Sequence, residues 1–127
     1  MVSFENVIKN SVVLLQMTEA NGQQIITKLI TEAVNQNLLD ERHKDTAIKA
    51  VLKRELSATT AMSDGIALPH GRTDCVTQLV SMIGIHPKGI AFGASDNQPT
   101  HIFVLLLVPI VAGCNHIHFL KTDKEGE

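Results

Sequence analysis

Ile102-Phe103-Val104-Leu105-Leu106-Leu107-Val108 is an unbroken apolar run, and Pro109 closes it. It contains β-branched residues and no polar alternation, so a strand formed here has both faces buried. That places it at the centre of a sheet covered on each side. The uncharged stretch from Ile102 to Gly113 is too short to cross a bilayer as a helix.

Outward from this strand, the chain mixes two periodicities. Val12, Val13, Leu14 and Leu15 read as a first strand, ended by the turn cluster Glu19-Ala20-Asn21-Gly22. Ile25, Ile26, Leu29, Ile30, Ala33 and Val34 then recur at helical spacing, which predicts a helix from Gly22 to Asn37 capped by Asn21. Asp40 to Leu56 reads as a second amphipathic helix with Ala47, Ile48, Val51, Leu52 and Leu56 on its apolar line. Ser57 to Ser63 is a small, polar loop. Ile66 to Leu68 and Leu79 to Ile85 are further strands, and His86-Pro87-Lys88-Gly89 a turn. Ser3 can cap a short helix through Val7 and Ile8, and His116 to Leu120 reads as the start of another. Together these predict an α/β (α+β) domain: a mixed sheet flanked by helices on both faces as a three-layer sandwich, with shortened C-terminal helices. Residues 1–127 form one domain, with an atypical tail after about residue 120.

Composition narrows the function. Of 127 residues, 44% are hydrophobic but only 3% aromatic, with no Trp or Tyr, so the core is aliphatic. A net charge of −2 and the scarcity of aromatics argue against nucleic acid as a partner. Cys75 and Cys114 have no CxxC spacing and read as reduced thiols. The N-terminus lacks the pattern of a signal peptide, and the chain reads as cytoplasmic, without membrane insertion.

One segment carries the chemistry. Gly65-Ile66-Ala67-Leu68-Pro69-His70-Gly71-Arg72 brings a histidine to the end of a short strand. Pro69 stiffens the approach, and Gly71 leaves space beside the ring for another molecule. Near its unperturbed pKa of about 6.5 an imidazole is largely neutral, and nucleophilic, at cytosolic pH. No glycine-rich nucleotide loop accompanies it, so the chain is not read as binding ATP or GTP. His70, His116 and Cys114 could in principle hold a metal, but their spacing does not demand one; no metal and no cofactor are expected.

Asp64 to Gly71 closely resembles the signature of the enzyme IIA domains of the bacterial phosphoenolpyruvate-dependent phosphotransferase system, fructose/mannitol type. Arg54-Glu55 is similar to that family's Arg-Glu pair, and Thr60 stands where the family has threonine. Asp96-Asn97-Gln98-Pro99 and Leu105 to Pro109 resemble the nitrogen-regulatory members. His116 falls at the position of a second family histidine, while Ala58 and Ser63 replace common glycines.

The resemblance implies a protein-to-protein phosphotransferase that takes a phosphoryl group on His70 from a histidine phosphocarrier protein. His116 would bond a phosphoryl oxygen or hold the ring. Arg54 would supply a planar fork for phosphoryl oxygens. Thr60 and Gly71 would support the loop and the phosphate. His70 and His116 should meet at a solvent-open site with Arg54 at the rim. A nitrogen-regulatory role is expected. The alternatives are a sugar-specific subunit passing phosphate to a IIB partner, and a non-catalytic binding module that keeps the fold. His43, His86 and His101 are read as surface or turn residues, and Asp96 as a turn aspartate.

Overall fold

In the computed structural model, which describes residues 11–14 and 16–110, the Ile102–Val108 run is the middle of a mixed sheet. The strands are β1 (Val12–Leu14), β2 (Ile66–Ala67), β3 (His70–Thr73), β4 (Val80–Ile90) and β5 (Thr100–Pro109). The helices are α1 (Gly22–Asn35) and α2 (Lys44–Ser57), with 3-10 turns at Glu41–His43 and Ser63–Gly65. β5 pairs antiparallel with β4 on one edge, and β1 lies parallel beyond β4. On its other edge, β5 pairs parallel with both β2 and β3.

β2 and β3 are two halves of one edge strand. Ile66 faces Ile102 and His70 faces Leu106, so the register does not slip across the break. Pro69 has no N–H to give to a ladder. Its carbonyl still accepts from Leu106 N–H at 3.0 Å, which carries the pairing through. The expected strand Ile66–Leu68 therefore does not end at Pro69. It resumes at His70, which opens β3 rather than closing β2.

β5 is buried continuously from Phe103 to Pro109, as its composition requires. Phe103, Leu105 and Leu107 join Ile25, Ile26, Leu29 and Ile30 of α1 and Ala47 and Val51 of α2 in the main core. Val104, Leu106 and Val108 lie on the opposite face with Ile83. Among the described residues, helices cover one face of the sheet. The expected helices through Val7 and Ile8 and after His116, and the charged tail, lie outside the described residues.

α1 begins where the sequence places it, with Asn21 Oδ1 accepting from Gln24 N–H at 2.9 Å. It ends at Asn35 rather than Asn37. Asn37 turns left-handed (φ 63°), and its N–H bonds Val34 O while Leu38 N–H bonds Ala33 O, each at 2.9 Å. This is the Schellman closure, which asparagine tolerates better than most residues.

The expected helix from Asp40 splits into a 3-10 turn and α2. Asp40 Oδ1 caps the turn by accepting from Arg42 N–H at 2.9 Å. Leu56 leaves the apolar line altogether; it is 87% exposed in the last turn of α2.

His86 to Gly89 is not a free turn but part of β4, which carries an irregularity between Ile85 and Ile90. His86 is buried, not on the surface. Its Nε2–H donates to Glu19 O at 2.8 Å, and its Nδ1 accepts from Gly89 N–H at 2.9 Å. His101 is half-buried on β5, with Nδ1–H donating to His86 O at 3.0 Å. His43 is a half-buried residue before α2, with no side-chain capping bond.

Candidate functional site

His70 is placed by the hairpin that precedes it. Asp64 (φ 68°) and Gly65 (φ 79°) are both left-handed, the backbone an Asp-Gly pair accepts in a tight turn. The arms close through Met62 N–H to Ile66 O at 2.7 Å and Leu68 N–H to Thr60 O at 3.2 Å. Asp96 braces the turn from outside. Its carboxylate accepts from Asp64 N–H at 3.2 Å and from Gln98 N–H at 3.0 Å, so it is structural, as read from the sequence.

The imidazole is only 6% exposed. The expectation of an openly displayed ring is corrected: His70 is recessed, as a buried residue of β3. Its Nδ1 lies 2.9 Å from Leu68 O. A carbonyl oxygen only accepts, so Nδ1 carries the proton. In the neutral ring Nε2 then holds the in-plane lone pair.

His70, Gly71 and Arg72 of β3 form one wall of a cleft of about 310 Å³, and Ala50, Lys53, Arg54 and Ser57 of α2 form the other. The helical spacing of those four residues puts them on one face of α2. The structure thus brings Arg54 to His70, as expected, and adds Lys53 and Arg72. Sequence reasoning missed both: Lys53 reads as one more solvated helix lysine, and Arg72 stood in the motif without a role. Among the described residues, three cations and no carboxylate line this cleft, in a chain of net charge −2. Such a surface attracts anions.

At Gly71 the structure shows what occupies the space of the absent side chain. A Cβ placed on it would lie 3.1 Å from Val51 N, 3.1 Å from Val51 Cγ2 and 3.2 Å from Ala50 C. The absent side chain gives its space to the α2 backbone, not to an incoming molecule. It sets the distance between the two walls.

Thr60 does not line the cleft. Its hydroxyl donates to Glu55 Oε1 at 2.7 Å, and its N–H donates to Glu55 Oε2 at 2.8 Å. It supports the loop through its backbone, and its hydroxyl proton is committed away from any phosphate. Arg54 Nη1 donates to Ala58 O at 2.9 Å, tying the end of α2 to the same loop. His116, like Cys114, lies outside the described residues.

An open mixed sheet thus carries, on the strand beside α2, a histidine with its Nδ1 bonded to a carbonyl, at the border of a cleft that three cationic residues also line. The family model described as "Phosphoenolpyruvate-dependent sugar phosphotransferase system, EIIA 2" matches residues 6–122, and the chain belongs to that family. It is 34% identical over 107 residues to the fructose-specific EIIA component of Haloferax volcanii, covering 84% of this chain and 68% of that protein. It is 30% identical over 98 residues to a nitrogen regulatory protein of Bradyrhizobium diazoefficiens, covering 77% of this chain and 62% of that protein. The crystal structure of the nitrogen regulatory protein IIA-Ntr from Neisseria meningitidis shares the fold, with a TM-score of 0.72 at 23% identity over 87% of this chain and 73% of that one. Among the described residues, no helix is long and apolar enough to cross a membrane.

Proposed function

We propose that this chain is a phosphoryl carrier in which Nε2 of His70 takes a phosphoryl group from the phosphohistidine of a phosphocarrier protein. The observation that carries this is the Nδ1–H bond to Leu68 O, which leaves Nε2 as the nucleophilic nitrogen of a residue whose cleft Lys53, Arg54 and Arg72 also line. In the step, the Nε2 lone pair forms the new P–N bond. The donor's P–N bond breaks, and its electron pair stays on the donor imidazole. Transfer of this kind is mostly positioning and charge stabilisation. Lys53, Arg54 and Arg72 offset the charge of the transferred group. The Leu68 carbonyl stabilises the positive charge that spreads onto Nδ1 as Nε2 is phosphorylated.

The phosphorylated chain would signal to a regulatory target, in line with its similarity to nitrogen regulatory proteins. The 34% identity to a fructose-specific component favours a second reading, transfer onward to a sugar-specific IIB partner. In the test, the chain is incubated with phosphoenolpyruvate, the system's first enzyme and its phosphocarrier. One acid-labile phosphate per chain, absent in His70→Ala, is the expected result. A folded wild-type chain that takes no label is a binding module, and the proposal fails.

A further inference from the structure

Glu55 follows Arg54 in α2 but does not line the cleft, and the mechanism above makes no use of it. Its two carboxylate oxygens are engaged by one residue: Oε2 by Thr60 N–H at 2.8 Å, Oε1 by Thr60 Oγ1 at 2.7 Å. Charge-assisted bonds of this length are about twice as strong as neutral ones. Thr60 O then accepts from Leu68 N–H at 3.2 Å, and Leu68 O accepts from His70 Nδ1–H at 2.9 Å. An unbroken chain of hydrogen bonds therefore runs from the last turns of α2, through the loop and the strand break, to the imidazole.

We propose that Glu55 is a positioning residue for phosphoryl transfer: it holds the Thr60–Leu68 segment where the Leu68 carbonyl keeps His70 in its Nδ1–H tautomer. The inference rests on the phosphoryl-carrier reading. The tip of the hairpin does not depend on Glu55, because the 2.7 Å Met62–Ile66 bond closes it without Thr60. Loss of Glu55 frees the Thr60 arm of the hairpin to shift against α2 while the Met62–Ile66 bond still holds its tip. The 3.2 Å Leu68–Thr60 bond, the longest of the four, is the link that gives first. Displacing the Leu68 carbonyl weakens the preference for the Nδ1–H tautomer, and the share of rings that present a protonated Nε2, which cannot attack, grows.

The test compares wild type, Glu55→Ala, Glu55→Gln and Thr60→Val. Two readouts are used: the tautomer of the neutral His70 ring by nitrogen-15 NMR, and the rate of His70 labelling by phosphoramidate, a small donor with its own P–N bond. Glu55→Ala is expected to move His70 towards mixed tautomers and to slow labelling about ten-fold, within the roughly 100-fold that a 1 Å misplacement can cost. Gln keeps an acceptor for Thr60 N–H, and its amide donates to Oγ1 once the hydroxyl turns round. Glu55→Gln is therefore expected to restore both readouts to within about two-fold of wild type. Thr60→Val keeps the backbone bonds and should fall between, which preserves the test if Glu55→Ala does not fold. An unchanged tautomer and rate in Glu55→Ala, or in Thr60→Val should the former not fold, overturns the inference. So does a Glu55→Gln as slow as Glu55→Ala with a wild-type tautomer, because charge would then be the cause. If wild type shows the locked tautomer but takes no phosphate, the carrier reading fails, and the Glu55 assignment falls with it as a role in transfer.

Discussion

Replacing Gly71 by alanine adds one methyl group at the point where β3 meets α2. The new Cβ would sit 3.1 Å from Val51 N and 3.2 Å from Ala50 C, inside ordinary van der Waals contact. Both are backbone atoms, so no side-chain rotation relieves them, and α2 has to retreat by a few tenths of an ångström. Over-packing of this kind costs about 1–3 kcal/mol. The lower backbone entropy of unfolded alanine returns roughly 0.4–1 kcal/mol, for a net loss on the order of 1–2 kcal/mol. The melting temperature should fall by about 3–6 °C per kcal/mol for a chain of this size. The retreat also carries Lys53 and Arg54 away from His70, so labelling of His70 should slow several-fold at temperatures where the variant is fully folded. Thermal unfolding by circular dichroism and phosphoramidate labelling at 15 °C read the two effects separately. A variant as stable and as fast as wild type would refute the reasoning that Gly71 sets the width of the cleft.

Other expected outcomes concern charge, capping and titration. Lys53→Gln with Arg72→Gln should weaken the salt dependence of transfer from a protein donor and lower its rate at low ionic strength, because exposed charges act over a Debye length of about 10 Å at 0.1 M salt; stopped-flow transfer between 20 and 500 mM salt checks this (both limits on the order of those set by screening). Asn21→Ala removes the acceptor for Gln24 N–H and should cost about 1 kcal/mol in urea unfolding. The Arg42 backbone N–H, helped by the Arg42 side chain, holds the Asp40 carboxyl below its usual range. Its folded pKa is depressed, so its contribution to stability is present above about pH 4, the unfolded value, and is lost as pH falls through the folded one. Asp40→Asn should accordingly flatten the acid side of the stability profile, read by denaturation between about pH 5 and pH 2.

The parts of the fold that were legible in the sequence are those where one physical signal dominates. An apolar run without alternation has to be central, and β5 is. Asn21 followed by helical periodicity has to start a helix, and α1 starts there. Leu56 was misread because periodicity alone does not show where a helix outruns its partner; α2 continues a turn beyond the residues it packs on the sheet. The continuation of the edge strand past Pro69 was missed because proline removes only its own N–H, and the register with β5 survives the loss. His86 was misread because a Pro-Lys-Gly sequence signals a turn, whereas here it occupies a strand irregularity stabilised by the buried ring.

The site divides in the same way. His70 and Arg54 were legible through a motif. Lys53 and Arg72 join them only through the packing of α2 on β3, which no local pattern reports. Gly71 carried a visible signal, an absent side chain, but sequence cannot say whether ligand or helix fills the space. The Asp64-Gly65 pair is a hairpin signal that was available and pointed to the turn that aims Leu68 at His70.

The nitrogen of His70 that takes the phosphate tests the proposed carrier role most directly. Phosphorus–nitrogen correlation by NMR on the phosphorylated, nitrogen-15-labelled chain decides it. The geometry predicts one phosphoryl group on Nε2 of His70, with the Nδ1 proton retained and still bonded to the Leu68 carbonyl. Phosphate on Nδ1, or on any other side chain, would contradict it.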